Sequence, residues 1–305
     1  MNCKTDLSVT IAGAKFKNPV MPASGTYDYF ENNADVFPMN ELGAVMIKSV
    51  HREIRAGNKG PRIAEVCGGM LNAVGIPSIG IEAFMKKELP RYETIGTDVV
   101  LSISGSTSEH YSESLEIIDN DPRITAIEMN LSCPNVGSGL PFSSDPVILE
   151  KTVCEARKRT TLPLFVKISP NVSDIRVSAK AAEEAGADAL TVSNTFRAMK
   201  IDIEKQKPVL GNISGGFSGP AVKPMNMFLV WQCFQTVKIP IIASGGISCW
   251  QDGIEYLLAG ASMLQVGCTN FVNPMCMVEV INGIDTYLFK HGYTSVNEIK
   301  GLAQL

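Results

Sequence analysis

Eight short apolar runs recur along the chain, separated by segments with helical patterning. They are PVMPAS (19–24), AVMIKS (44–49), DVVLSIS (98–104), AIEMNLS (126–132), PLFVKIS (163–169), ALTVSN (189–194), PIIASGG (240–246) and SMLQVG (262–267). Runs this short, β-branched and nearly continuous fit strands buried on both faces, as in a parallel sheet. Two intervening segments carry clear helix signals. SDPVILEKTVCEARKRT (144–160) opens on a cap at Ser144 or Asp145 and sets Ile148, Thr152, Val153 and Ala156 on one face. SDIRVSAKAAEEAG (173–186) opens on Ser173 or Asp174 and ends on Gly186, a natural residue for a left-handed helix end. Eight strands alternating with helices predict an α/β fold, a (β/α)8 TIM barrel. The segment LSVTIAGAKFK (7–17) alternates around Ala-Gly-Ala and predicts a β-hairpin before the barrel. No linker or shift of composition divides the chain, so one domain over residues 1–305 is expected.

Charge and cysteine usage narrow the function. The 305 residues are 45% hydrophobic, and 27 basic against 31 acidic side chains give a net charge of −4. With no Lys/Arg run, neither a nucleic-acid nor a membrane-surface partner is expected. The N-terminus lacks the apolar core of a signal peptide and no stretch is long enough to span a bilayer, which predicts a cytoplasmic protein. Eight cysteines (3, 67, 133, 154, 233, 249, 268 and 276) are scattered without a C-x-x-C pair, so reduced thiols are expected rather than disulfides, zinc or iron–sulfur ligation. The three histidines, 51, 110 and 291, are far apart in sequence and are expected on the surface or in loops, with no metal bound.

Polar residues gather where the strands end. Ser24, Lys48, Asn130, Cys133, Lys167, Asn194, Gly245, Gly246 and Gly267 all fall at or just past a strand's C-terminal end. In a barrel those ends share one face, and the active site is built there. Gly245-Gly246 after the seventh strand and Gly267 after the eighth let backbone N–H groups approach an anion, as in a phosphate seat. Without a Walker lysine or a G-x-G-x-x-G turn, that seat suits a mononucleotide cofactor or a phosphorylated substrate. Lys167 is placed to neutralise a reduced, anionic flavin. Cys133 has no histidine beside it in sequence; it is poorly equipped for acyl transfer and better suited to proton removal beside a hydride acceptor.

The motifs NPVMPASGT, RIAEVCGGMLNAVGI, MNLSCPN, VKISPNV, GFSGPAVKP, IIASGGI and VGCTNF occur in this order over essentially the whole chain. Together they resemble the class 1 dihydroorotate dehydrogenases, specifically the NAD-linked 1B type. The resemblance implies an FMN-binding barrel that oxidises (S)-dihydroorotate to orotate in pyrimidine synthesis. It also implies a partner subunit carrying FAD and a [2Fe–2S] cluster that passes electrons to NAD, and a homodimer of this chain within a heterotetramer. Cys133 would take the proton from C5 while hydride leaves C6. Lys48, the Asn72, Ala73, Val74, Gly75 and Ile76 segment, Asn130, Asn194 and Thr195 would hold the substrate. Amides suit a pyrimidine ring because each offers a donor and an acceptor, and Lys48 suits a carboxylate. FMN would be met by Ser24, Lys48, Ser49, Ser102, Asn130, Lys167, Ser193, Gly219, Gly245, Gly246, Gly267 and Cys268.

Three positions depart from the family pattern. Ser102 stands where asparagine is usual, Ser193 where an apolar residue is usual, and Cys268 where threonine is common. The first two change polar contacts to flavin or substrate. A dihydropyrimidine dehydrogenase-like barrel is the nearest alternative, but its motif usually reads SCPH, whereas this chain has Asn135 and the LNAVG loop. A cation at Lys48 also favours a carboxylate over an uncharged ring. A non-catalytic flavin-binding electron relay and a flavin-free phosphosugar barrel are the readings furthest from this one.

Overall fold

The computed structural model describes residues 5–26, 39–132 and 142–304. All eight predicted strands form and run parallel. We number them β1 (Val20–Pro22), β2 (Ala44–His51), β3 (Asp98–Ser104), β4 (Ala126–Asn130), β5 (Leu164–Lys167), β6 (Ala189–Val192), β7 (Ile241–Ser244) and β8 (Ala261–Val266). They pair in the order 1-8-7-6-5-4-3-2. At the remaining seam the Gly43 N–H donates to Val20 O at 2.9 Å. Only glycine fits there, because a Cβ at Gly43 would lie 2.0 Å from Asn18 O. The sheet thus curls into a nearly closed barrel.

Helices α1 (Ile81–Lys87), α2 (Ser108–Ile118), α3 (Pro146–Arg157), α4 (Ile175–Glu184), α5 (Lys223–Thr236), α6 (Trp250–Leu258) and α7 (Cys276–His291) alternate with β2 to β8. The caps follow the sequence. Asp145 accepts from Val147 N and Ile148 N, with Pro146 in the first turn, and Asp174 accepts from Arg176 N. Gly186, at φ 95°, ends α4 in a Schellman arrangement, with its N–H bonded to Glu183 O and that of Ala187 to Ala182 O. The buried face of α3 is Leu149, Thr152, Val153 and Ala156; Ile148 is only half-buried, one position from the expected stripe.

The predicted hairpin is present as Val9–Ile11 paired antiparallel with Ala14–Phe16. Its Phe16 ring packs 6.5 Å from that of Phe165 on β5. Two excursions build a second layer. One leaves β2 and returns to α1; the other leaves β6 and returns to α5. Their strands Phe196–Ala198, Gly215–Ser218, Gly69–Asn72 and Ile63–Val66 make one antiparallel sheet. Ala64, Leu71, Ala73 and Leu210 form its small core, separate from the barrel's.

Candidate active site

The ends of all eight strands and the two-excursion sheet enclose a cavity of about 750 Å³, within the ~300–1,000 Å³ of ordinary cofactor and ligand sites. Its described wall carries the cations Lys48, Arg55 and Lys167 and no carboxylate. In a chain of net charge −4 this concentrates positive potential where an anion would enter.

Local backbone geometry aims several of these groups. In the β2–β3 pairing, Ile47 faces Leu101 and Val50 faces Ile103, so Lys48 and Ser49 together oppose the single residue Ser102. This is a bulge, and both of its residues line the cavity. On β4 the period-2 alternation puts Glu128 and Asn130 on one side. Asn130 is in register with Lys167, and Glu128 with Ser102. Asn130 Nδ2 donates to Ser49 Oγ at 3.2 Å, and the Ser49 and Ser102 hydroxyls are 2.8 Å apart.

Below this layer lies a polar cluster inside the barrel, where apolar branched side chains are the rule. Lys167, 4% exposed, donates to Ser24 Oγ at 3.3 Å and to Gln265 Oε1 at 3.2 Å. Its Nζ is 4.0 Å from Glu128 Oε1. Glu128, fully buried, accepts from Thr191 Oγ1 at 2.9 Å, Gln265 Nε2 at 2.7 Å and Ser102 Oγ at 3.4 Å. Burial pulls the Lys167 ammonium down from the usual lysine range, and the Glu128 carboxylate opposes that shift.

Glycines make the opposite wall. A Cβ at Gly246 (φ 71°) would lie 2.6 Å from Lys223 N, and one at Gly219 (φ 130°) 2.4 Å from Gly69 Cα. No side chain fits at either position, so the wall there is bare backbone. The 3-10 turn Cys268–Phe271 follows Gly267 at its edge. A buried brace supports it: Tyr256 OH donates to Gly245 O at 2.6 Å and Asn226 Nδ2 to Tyr256 OH at 3.1 Å, while Ser193 Oγ donates to Asn226 Oδ1 at 2.6 Å. A backbone wall facing a buried cation across one cavity fits a phosphorylated flavin such as FMN.

The mouth is formed by residues 72–77. Gly75 (φ 77°) passes Asn58 so closely that a Cβ would lie 2.6 Å from its N, and Ile76 follows at φ 49°, rare for a β-branched residue. Thr195 packs against Gly216, where a Cβ would meet Thr195 Oγ1. Asn194 Nδ2 donates to Asn130 Oδ1 at 3.3 Å and also to Ser132 Oγ.

Nearly every residue expected at the site lines this one cavity: Lys48, Asn72 to Ile76, Asn130, Asn194 and Thr195, and also Ser24, Ser49, Lys167, Ser193, Gly219, Gly245, Gly246, Gly267 and Cys268. Ser102 does not; it sits one layer deeper and touches the wall through Ser49. Cys133 lies outside the described residues, directly after Ser132 of the wall. The histidine expectation is corrected in part. His51 is the last residue of β2 and buried, and its ring meets that of His110 edge-on at 5.6 Å between centroids. With Glu53 they form a group whose ligand atoms lie within 4.8 Å. However, His51 Nδ1 accepts from Glu53 N at 3.0 Å and Arg55 Nη1 stands 3.4 Å from Nε2, so both ring nitrogens are engaged and a cation already occupies the approach. Burial, then Arg55 and His110, lower the His51 pKa to about 4.

Glu128, Thr191, Gln265, Asn226 and Tyr256 are functional neighbours that sequence reasoning missed. The available signal was a carboxylate at Glu128 inside a run otherwise buried on both faces, two residues before Asn130.

Fold and site together define a (β/α)8 barrel with an anion-seating, mononucleotide-sized cavity at the C-terminal ends of its strands. Comparison with known proteins is specific. The sequence model described as dihydroorotate dehydrogenase matches residues 6–288. The protein named dihydroorotate dehydrogenase B (NAD(+)), catalytic subunit, of Geotalea uraniireducens (strain Rf4) is 44% identical over 299 residues, 98% of each chain. Proteins of the same name from Geotalea daltonii and Geobacter sulfurreducens are each 43% identical over 303 residues, 99% of each chain. The chain belongs to the dihydroorotate dehydrogenase family.

Proposed function

We propose that the chain is the FMN-binding catalytic subunit of an NAD-linked dihydroorotate dehydrogenase, a single-domain enzyme oxidising (S)-dihydroorotate to orotate in pyrimidine biosynthesis. The observation that carries this reading is the cavity wall, with three cations, no carboxylate among its described residues, and the amides Asn72, Asn130 and Asn194 converging on one volume. That set matches an anionic pyrimidine beside a phosphorylated cofactor. Lys48, raised by the bulge, pairs with the substrate carboxylate. Asn130, Asn194 and Thr195 hold the ring edge, and Ala73 to Ile76 close over it and exclude water. Cys133 takes the proton from C5. Gly219, Gly245, Gly246, Gly267 and the backbone of Cys268 seat the FMN phosphate, while Ser24, Ser49, Ser193 and Lys167 meet the remainder. When bound, FMN supplies the acceptor for the hydride that leaves C6.

Electrons then leave through a partner subunit carrying FAD and a [2Fe–2S] cluster, docked on a homodimer of this chain in the cytoplasm. Six cysteines among the described residues are free, and the one candidate metal group contains no thiolate, which supports assigning the cluster to the partner. Among the described residues no helix is long and apolar enough to cross a membrane. The test is steady-state NADH formation from dihydroorotate. The isolated chain is expected to reduce small dyes slowly and NAD hardly at all, with NAD reduction restored by the partner. Turnover of NAD by the chain alone at the rate of the complex would overturn the exit route.

A further inference from the structure

The cation at the cavity floor depends on a residue that never reaches the cavity. Glu128 is wholly buried at the middle of β4 and lies outside the cavity wall, yet three donors and an ammonium surround its carboxylate. All four neighbours are donors, the complement of an acceptor-only carboxylate. Gln265 bridges the two charges, with Nε2 donating to Glu128 and Oε1 accepting from Lys167. The reversed amide would set its NH2 against the ammonium and its carbonyl against the carboxylate, so the partners fix its orientation.

We propose that Glu128 is a positioning residue, the counter-ion that keeps Lys167 protonated before any flavin in the cavity is reduced. This rests on reading the cavity as an FMN site. Lys167 is faced by Glu128 from β4, Thr191 in register on β6, Gln265 from β8 and Ser24 after β1. Of these only Glu128 ionises. The other charged residues of the described wall, Lys48 and Arg55, are cations and work against a third positive charge. Burial without a counter-ion drives a lysine toward its neutral form. With Glu128 ionised, the positive charge is in place beforehand, and negative charge arriving on the flavin meets a preorganised cation.

Glu128→Gln keeps the shape and a hydrogen-bonding role. Its carbonyl can accept from Thr191 and Gln265, and its new amide nitrogen can face Ser102 and Lys167, where it disfavours an ammonium. The readout is the midpoint potential of bound FMN from about pH 6.5 to about pH 8.5. In the wild-type chain, two electrons should enter with one proton, taken up by the flavin. In Glu128→Gln they should enter with two, the second going to Lys167 as negative charge builds beside it, and reduction at the alkaline end should be at least about tenfold less favourable in equilibrium constant. Combining Lys167→Gln with Glu128→Gln should return the count to one. A one-proton count in Glu128→Gln overturns the proposal. If Glu128→Gln alone does not fold, the double variant, which removes both charges, should; a double variant equally unfolded assigns Glu128 to packing and also overturns it. A wild-type chain that takes up no FMN refutes the flavin reading separately. The counter-ion role is then decided in the apoprotein by the ¹⁵N ammonium resonance of Lys167 near neutral pH. Its loss in Glu128→Gln supports the role, and its persistence overturns it.

Discussion

The floor of the cavity and its roof are built on opposite terms. The floor is Lys167 on a central barrel strand, underlain one layer deeper by Glu128, Gln265, Ser102 and Thr191; all five are nearly inaccessible and tied by named hydrogen bonds. The roof is made of excursions with a four-residue core of their own, with Gly75 and Ile76 in left-handed backbone and Ile63 more than half exposed. Groups on central strands cannot shift without disturbing the barrel, whereas a small, glycine-bearing layer opens at lower free energy. A cofactor that stays needs the first kind of wall, and a substrate that enters and leaves needs the second. The expected division is therefore structural and electrostatic work below, binding and chemistry above.

The largest effect should fall on the chemistry. Cys133→Ala should slow flavin reduction by dihydroorotate by about 10²–10⁴ and leave FMN content and unfolding midpoint unchanged, as measured by stopped-flow absorbance and urea titration. Near-normal reduction would remove Cys133 from the chemistry. Lys167→Met should break the floor instead. It strands the Glu128 carboxylate in the core, a loss of about 3–5 kcal/mol in urea unfolding; an unchanged midpoint would mean that Glu128 does not carry its charge.

Lys48 stands between the two regions and sharpens the contrast. It is half-buried and joins no carboxylate among the described residues, so Lys48→Ala should leave stability nearly intact. It should weaken dihydroorotate by about 1.5–3 kcal/mol while barely affecting a dihydropyrimidine lacking the carboxylate. Equal losses for both ligands in calorimetric titration would show that Lys48 does not read the carboxylate.

The smallest effect concerns His51, at the junction of β2 with the roof. Its folded pKa, about 4, lies below the ordinary histidine value, so the unfolded chain binds the extra proton first. Stability from this residue is complete above about pH 6.5 and is lost as pH falls toward the folded pKa, about 1 kcal/mol between pH 6.5 and 5.5. Denaturant titrations of the wild-type chain and His51→Gln should show a shallower decline in the variant over that window. Parallel curves would mean that His51 is protonated as readily folded as unfolded.

The barrel was legible because its signal is periodic and local. Eight β-branched runs and caps such as Asp145 and Asp174 need no knowledge of distant contacts. The wall residues were legible for a related reason: strand ends converge in any barrel, so Lys48, Asn130, Lys167 and Asn194 could be assigned to one face before their distances were known. The floor was not. Glu128 and Gln265 are separated by 137 positions and meet only through barrel closure, which sequence spacing does not encode. The bulge that turns both Lys48 and Ser49 inward was hidden for the same reason, being a property of the β2–β3 register. His51 and His110 likewise come together only because α2 starts close to the end of β2.

The central claim, that this cavity holds FMN and passes it electrons from dihydroorotate, is tested most directly by an anaerobic titration of the FMN-loaded chain without a partner. Dihydroorotate should bleach the visible flavin absorbance completely at about one equivalent per chain, as two-electron stoichiometry requires. A flavin spectrum unchanged by excess dihydroorotate, in protein that binds orotate normally, would contradict it.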